Sequence, residues 1–403
     1  MIDYFFQIWA LVIPITSVVI IPSIKGALLS YFFAVFSVIV GIKYYKKYDY
    51  VALVKFIYCF AFLVFISQFF LSIYDDWLPH DLLMVDKTDL STVVFRSSII
   101  TQSLYLLPCL LAFIYIKRFY HEKWDKWILY GGTFLAIYGI YEFVFFLLTG
   151  ENGDFLSNRW FGEDDTNTGA AFQKVTLGGV TIERLKSLTS EPSMYAYTML
   201  AYWIFAIHTG KKILSFLYFT SLVLSTSTSA ILGIILYLIY RLCKYRRKKE
   251  IVIFFISIQV ALFFLGEYIS DAIDNLILAK IYMESFSGAE RGGYFFSTIE
   301  VFLNSPLFIQ LFGLGWGVIR STDFFSTLLM NTGIIGFILW TIFVLKPCAY
   351  KIKLYKMDGI KAILVIEYII MMVSVPEFSF ISYWMFLGIG YNLVDVHSNG
   401  YEY

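Results

Sequence analysis

Lys211-Lys212-Ile213-Leu214-Ser215-Phe216-Leu217-Tyr218-Phe219-Thr220-Ser221-Leu222-Val223-Leu224-Ser225-Thr226-Ser227-Thr228-Ser229-Ala230-Ile231-Leu232-Gly233-Ile234-Ile235-Leu236-Tyr237-Leu238-Ile239-Tyr240-Arg241 is the stretch on which the topology turns. Its apolar part, 213–240, has basic residues at both ends, and basic residues gather on the cytoplasmic side of membrane helices. A single crossing would place those ends on opposite sides, so the run has to double back. It is long for one helix of about 20 residues and short for two. Its middle, Ser225 to Ser229, supplies hydroxyls that can satisfy the backbone groups a turn sets free. The run is therefore read as two short or re-entrant helices.

Ten further apolar runs flank it, at about 5–24, 26–42, 51–73, 93–116, 127–149, 193–209, 251–269, 324–345, 360–375 and 380–396. With 59% hydrophobic and 15% charged residues, against roughly 25% charged in soluble domains, the chain reads as all-α and polytopic, with about 12 transmembrane helices. It forms one membrane domain over 1–403. Lys43, Lys46 and Lys47, Lys117 to Lys126, Lys211 and Lys212, Arg241 to Lys249 and Lys346 to Lys361 mark one side as cytoplasmic, with both termini there. The start, Met1 to Ala10, lacks a basic segment and a small-residue cleavage site, so the first run is expected to stay as a helix. The last pair of runs turns at Pro376-Glu377-Phe378-Ser379. A net charge of +1 offers no polyanion-binding surface, so nucleic acid is excluded as a partner. Four irregularly spaced cysteines give neither a zinc site nor a disulfide framework. The acidic groups Asp75-Asp76, Asp86 to Asp89 and Glu163-Asp164-Asp165 match no calcium-loop spacing, so no metal or other cofactor is expected.

The opposite, outer side carries two long loops, 150–192 and 270–322, and loops of this length are uncommon unless they work. The first ends in Ile182-Glu183-Arg184-Leu185-Lys186-Ser187-Leu188-Thr189-Ser190-Glu191-Pro192-Ser193. Proline suits the first turn of a helix, which predicts a helix starting at Pro192 with Glu191 at its N-cap. Glu is a poor cap beside Ser or Asp, so its carboxylate is a candidate for chemistry. In the second loop, Ile273, Leu276, Ile277 and Ile281 form an amphipathic stretch suited to the membrane surface. Ser287 and Glu290 form a capping box, which predicts a helix from about 288 to Leu303, ending before Asn304-Ser305-Pro306. Arg291 then falls in its first turn, where a cation opposes the helix dipole unless an anion is bound there. Of the ionisable residues inside the apolar runs, Glu142 is expected to pair with Arg96, which lies near a helix end and can snorkel. Glu367 has no obvious partner.

The order Arg184, Ser187 and Glu191-Pro192-Ser193 before a helix, then Ser287-Gly288 and Arg291, then Ser305-Pro306-Leu307 and Gly313-Leu314-Gly315-Trp316-Gly317, resembles bacterial O-antigen and capsule polymerases, the Wzy family. The closing Gly333-Ile334-Ile335-Gly336 fits the same pattern, and the related O-antigen ligases are similar too. The motifs cover about 184–345; in topology the likeness extends to the whole chain. The resemblance implies a GT-C-like, metal-independent glycosyltransferase of the inner membrane. It would join oligosaccharide repeat units carried on undecaprenyl pyrophosphate, together with a partner that regulates chain length. Where ligases carry a His-Asn pair, this chain has Thr322 and Asp323, which favours a polymerase over a ligase. The third reading, a lipid-oligosaccharide flippase, would place its charged groups near the midplane of broken, repeated helices; here they lie in two outer loops.

Such a transfer needs its leaving pyrophosphate stabilised and an acceptor hydroxyl activated. Arginine's planar fork suits the first task, which assigns Arg184 and Arg291, with Arg320 as a further candidate. A carboxylate suits the second: Glu191 first, Asp323 second. Ser187, Ser193, Tyr294, Gly315, Trp316 and Arg96 complete the expected substrate-binding set, and Trp160 is a further sugar contact.

Overall fold

The structure, a computed structural model, describes residues 2–22, 24, 26–44, 49–74, 82–85, 94–159, 172–177, 180–245 and 286–399. The run at 251–269, the amphipathic stretch at 273–281, the three acidic groups and Trp160 lie outside them. Among the described residues the chain forms thirteen α-helices and one β-hairpin. Five helical segments, Tyr50–Ile73, Ser97–Phe119, Glu122–Thr149, Thr228–Tyr245 and Phe324–Ala349, are long and apolar enough to cross a membrane. On the first of these Val51, Val54, Tyr58, Phe62 and Phe65 are all exposed, as befits a helix that faces lipid on most of its circumference. The chain falls into two compact units, Met1–Trp9 with Leu29–Trp124 and Glu290–Tyr403, and Ala10–Leu28 with Asp125–Ala289.

The first unit holds most of α1 (Ile2–Val12) and all of α2 (Leu29–Lys43), α3 (Tyr50–Ile73), α4 (Ser97–Phe119), α9 (Phe286–Leu303, from Glu290), α10 (Leu307–Phe312), α11 (Phe324–Ala349), α12 (Tyr355–Ser374) and α13 (Ile381–Asn399). Helix α1 is shorter than the expected first span. It stops two residues before Pro14, whose ring removes a donor and disfavours helix in the residue before it. The tightest pairing is α4 with α13: Gly388 lets the backbone of Phe113 approach, Asn392 donates to the Lys117 carbonyl at 2.9 Å, and Phe113 meets Trp384 and Tyr391 edge-on. Lys117 also pairs with Asp49 at 2.9 Å, tying α4 to the start of α3. The turn at Pro376–Ser379 separates α12 from α13, as predicted. Glu367, on α12, is 1% exposed, and both its carboxylate oxygens lack a partner among the described residues.

Helix α11, one continuous run in sequence, is broken. Gly333 sits at φ +65°, ψ −174°, a conformation open to glycine alone. The rings of Phe324 and Trp340 lie 5.5 Å apart and those of Phe325 and Phe337 5.4 Å. In a straight helix such pairs would be separated by roughly 18–24 Å, so the two arms fold towards each other about Gly333.

The second unit holds α5 (Asp125–Thr149), β1 (Lys174–Leu177), β2 (Val180–Glu183), α6 (Pro192–His208), α7 (Lys212–Leu224) and α8 (Thr228–Tyr245). The run 213–240 doubles back as its charges require. Phe219 of α7 and Tyr237 of α8 both reach Trp203 of α6, at 5.6 and 5.0 Å between ring centres. At the reversal Thr226 has φ +44°, and the Ser225 hydroxyl donates to the Leu222 carbonyl at 2.6 Å. Tyr218 of α7 donates to the Leu129 carbonyl of α5 at 2.6 Å. The all-α expectation is corrected in one place: Lys174–Leu177 and Val180–Glu183 pair antiparallel, Lys174 opposite Glu183 and Leu177 opposite Val180.

Candidate functional site

In the second unit the hairpin delivers the segment Ile182–Ser193 to the start of α6. Arg184 prolongs the pairing by one residue: its N–H donates to the Gln173 carbonyl at 2.8 Å, and its guanidinium donates to the Gln173 side-chain oxygen. Leu185 is buried against α5 at Gly139, where any side chain would collide with Leu185 and Ser187. Lys186, which sequence reasoning passes over, is completely buried. Its ammonium pairs with Glu142 at 3.1 Å and with Asp154, and lies 4.4 Å from the centre of the Phe172 ring. The expected Glu142–Arg96 pair is thus replaced: the partner the structure gives Glu142 is Lys186. Glu142 also accepts from the Ser187 N–H at 2.8 Å, so one carboxylate on α5 fixes two successive residues of the segment.

Ser187 holds φ +53° and its hydroxyl donates to the Leu135 carbonyl at 2.7 Å. A predicted substrate contact, it is fully buried in the fold's own hydrogen bonding. The Leu188 carbonyl accepts from the backbone of Thr16 and Ser17 at 3.0 and 3.2 Å, and the Thr189 hydroxyl donates to the Lys186 carbonyl at 2.6 Å. Helix α6 starts at Pro192 with Glu191 at the N-cap, as predicted. The Glu191 carboxylate makes no cap hydrogen bond; it accepts from the Ser193 hydroxyl. Its backbone carbonyl begins the helix, accepting from Met194 and Tyr195. The helix therefore does not consume this carboxylate.

Charge in this cluster is unbalanced. Lys186 faces Glu142 and Asp154 directly, and Glu183, 2% exposed, lies close by with Lys174 across the hairpin. Burial opposes ionisation of Asp154, but the Lys186 ammonium and hydrogen bonds from Lys186 and Ser157 outweigh it and hold its carboxyl below the usual range. For Glu183 burial wins: its carboxyl is pushed up to about 7, against the pull of Lys186 and Lys174. With the Asn152 amide oriented as its neighbours require, its nitrogen donates to both Glu183 oxygens, at 3.2 and 3.0 Å.

In the first unit the loop between α10 and α11 is built around the break at Gly333. Breaking α11 frees the carbonyls of Met330 and Asn331, and the loop takes both: Leu314 N–H donates to the first at 2.8 Å and Gly315 N–H to the second at 2.9 Å. The Asn331 side chain accepts from Ile319 N–H at 2.9 Å and donates to the Ile319 carbonyl at 2.8 Å. On α3, Gln68 donates to the Leu314 carbonyl at 2.5 Å and accepts from Phe95 N–H at 2.5 Å. The alternating glycines thus serve internal approach. Gly313, at φ +76°, lies against the backbone of Asn331 and Thr332; Gly315 and Gly317 lie against Gln68 and Gln102. Gly315, a predicted ligand contact, is closed off by Gln68.

The product of this architecture is a fixed platform for Trp316 and Arg320. Trp316 is 4% exposed and packs against Phe60, Trp340 and Phe378. Arg320 is about half exposed, with its guanidinium 3.2 Å from Glu377 in the α12–α13 turn. Asp323 caps α11: it accepts from Ser326 N–H at 2.7 Å and from the Ser326 hydroxyl at 2.6 Å. Burial raises its carboxyl, against those hydrogen bonds from Ser326 and a further one from Ser321. Both its oxygens are engaged, which makes a cap its evident role. Arg96 stands at the N-cap of α4 and is 4% exposed, so it does not snorkel outward as expected. Tyr294 lies on α9, half-buried. That helix begins at Phe286, so Ser287 falls inside the first turn instead of capping it, and Arg291 falls in the second.

The expected site residues therefore divide into Arg184, Ser187, Glu191 and Ser193 in one unit and Arg96, Arg291, Tyr294, Gly315, Trp316, Arg320 and Asp323 in the other. Lys186, Asp154, Gln68, Asn331 and Glu377 are the positioning residues that sequence reasoning misses. One signal pointed to Lys186: a buried Glu142 needs a cation, and Lys186, between Leu185 and Ser187, lies in the loop that follows the apolar run carrying Glu142. Among the described residues no three His, Cys, Asp or Glu side chains converge as a metal centre requires. No protein-family model, curated protein or solved structure matches the chain.

Proposed function

We propose that the chain is a multi-pass glycosyltransferase of the bacterial inner membrane, with about 12 crossings and cytoplasmic termini, that polymerises lipid-linked oligosaccharide repeat units on the outer face. The observation that carries this reading is the segment Arg184–Ser193. It holds, seven residues apart in sequence, a guanidinium and a carboxylate that the helix cap does not use, on a backbone clamped by a buried ion network. Rigid placement of charged groups on a supporting shell is what electrostatic catalysis requires.

In the proposed reaction an acceptor sugar hydroxyl attacks the anomeric carbon of the donor. The bond from that carbon to the pyrophosphate oxygen breaks, undecaprenyl pyrophosphate departs with the electron pair, and Glu191 takes the hydroxyl proton. Arg184 stabilises the leaving charge. Asp323, committed to its cap, is the weaker choice of base. The reading draws on the order of motifs in the sequence and on this local geometry.

The test is the surface polysaccharide of a strain lacking the gene, separated on a gel. Polymerase loss leaves one repeat unit on the core, or no capsule. Uncapped core with accumulated lipid-linked polymer would identify a ligase instead, and absence of even a single repeat would identify a flippase. Complementation with Arg184→Ala should fail, because removing one such donor lowers the rate by about 10²–10³. A wild-type chain-length distribution in that strain would sink the assignment.

A further inference from the structure

Helix α12 carries a carboxyl group that the proposed reaction leaves unused. Glu367 stands just past the middle of the helix and is 1% exposed. Ile363, Leu364, Ile370 and Met371, around it on the same helix, are completely buried. Across the seam, Gly390 of α13 brings Ile360 and Leu364 of α12 and Pro347 of α11 to 3.1–3.3 Å from the point where a Cβ would stand. The three helices are therefore closed upon one another at this level.

The titratable groups near Glu367 are neutral hydroxyls and a thiol. Tyr383 of α13 lies within electrostatic reach of Glu367, of Cys348 on α11 and of Tyr368 on α12. Tyr368 shares a hydrogen bond with Thr341 of α11 at 2.7 Å, and the Cys348 thiol faces the Lys361 carbonyl at 3.9 Å. The cations of α12 are engaged elsewhere. Lys361, about 9 Å along the helix axis from Glu367, donates to the Tyr350 carbonyl, and Lys356 pairs with Glu122 at 3.0 Å. Among the described residues Glu367 has no hydrogen-bond donor and no opposite charge.

Such an acceptor pair is an exception, since roughly 90% or more of buried polar groups find a partner. An isolated carboxylate charge held out of water is costlier still, so the group has to be neutralised where it stands. Neither oxygen has surface open to water, which leaves no room for a hydrated ion or an organic cation. Among the described residues no set of His, Cys, Asp and Glu converges to hold a metal. A proton is the cation that needs no space.

We propose that Glu367 is a proton-binding site that locks α12 between α11 and α13. With the proton bound, the carboxyl is neutral and the closed seam accommodates it. Without the proton, the carboxylate has to reach water, and α12 has to part from its neighbours to let it. Above the range where an exposed carboxyl titrates, the ratio of open to closed packing rises about tenfold per pH unit for as long as the closed site keeps its proton. This site goes beyond the transfer reaction and stands whether or not the chain polymerises sugars.

The full-length protein, carrying isotopically labelled glutamate and held in detergent, is first examined by infrared spectroscopy at neutral pH. The expected result is the carbonyl stretch of a protonated acid that Glu367→Gln removes. Amide hydrogen exchange of α12 peptides, corrected for the intrinsic pH dependence of exchange, is then followed from about pH 6 to about pH 9. Wild-type exchange should speed up about tenfold per pH unit, while Glu367→Gln, neutral throughout and of nearly the same shape, should stay slow and flat. Helix α6, in the other unit, is the internal control. Glu367→Met is a second neutral variant, for use if the glutamine fails to fold, and should behave alike. Absence of the acid band would overturn the proposal. So would α12 exchange that responds to pH equally in the wild type and the neutral variant.

Discussion

Lys186 is the residue whose removal should reveal most about the Arg184–Ser193 segment. Its side chain and those of Glu142 and Asp154 are each no more than 2% exposed. Changing Lys186→Met keeps the volume and removes the one cation both carboxylates share. Breaking a buried pair from one side costs about 3–5 kcal/mol, because the abandoned charge stays out of water. At roughly 2–4 °C per kcal/mol for a unit of about 150–250 residues, the melting midpoint should fall by roughly 6–20 °C. The assay is thermal unfolding in detergent, followed by the fraction that stays monodisperse on size exclusion. A companion variant carrying Lys186→Met, Glu142→Gln and Asp154→Asn removes the charges together and should recover most of the loss, since neutral replacement of a whole buried network is often close to neutral. A single variant that melts within about 2 °C of wild type would refute the claim that this network clamps the segment. A triple variant as unstable as the single one would show that packing, and not charge, sets the effect.

Three further outcomes follow from the same geometry. Glu183, with its carboxyl raised to about 7, holds a proton in the folded chain that the unfolded chain releases near its ordinary value of 4.5. Its contribution is therefore unpenalised at low pH and declines as pH rises from about 4.5 through about 7; Glu183→Gln should flatten that decline in melting temperature measured across the interval. Asn331→Ala leaves both backbone groups of Ile319 without their side-chain partner, at about 1–3 kcal/mol each, and Gly333→Ala forces a Cβ against the Leu311 and Phe312 backbone at positive φ; both should lower the yield of monodisperse protein, and normal yield would count against the loop's dependence on the helix break. Glu191→Gln keeps the acceptor for Ser193 and removes the base, so normal expression with lost polymer is expected, whereas polymer at wild-type length would reduce Glu191 to a structural residue.

How far the sequence reaches can be seen element by element. The reversal inside 213–240, the start of α6 at Pro192 and the turn at Pro376–Ser379 are legible because each rests on a local rule: charge sidedness or proline chemistry. The hairpin is carried by Val-Thr and Thr-Ile alternation about Gly178-Gly179, a two-residue turn signal too short to stand out in a loop read as one piece. The break in α11 is invisible to hydropathy, since Gly333 sits in an apolar run; only the need of Leu314 and Gly315 for acceptors exposes it. For the site, Glu191 at its N-cap and the loop glycines are legible as local features. The Lys186–Glu142 contact spans 44 residues and Asn331's grip on Ile319 depends on a fold-back, so neither follows from spacing. The glycine run was legible as a place of close approach, but what approaches is Gln68, Gln102 and the protein's own backbone.

The Gln68 amide binds Phe95 on one side and Leu314 on the other, the latter 246 positions further along the chain. At about 5–20 residues per second of synthesis, Gln68 waits roughly 12–50 s after leaving the ribosome before its second partner exists. During that interval a carboxamide on α3 has half its hydrogen bonding unmet, so α3 and α4 cannot reach their final seating until the last quarter of the chain is made. Nascent chains arrested before Gly313 should leave Gln68 open to water or to a helper protein in the membrane, and the first unit should close late and in one step once the α10–α11 loop arrives.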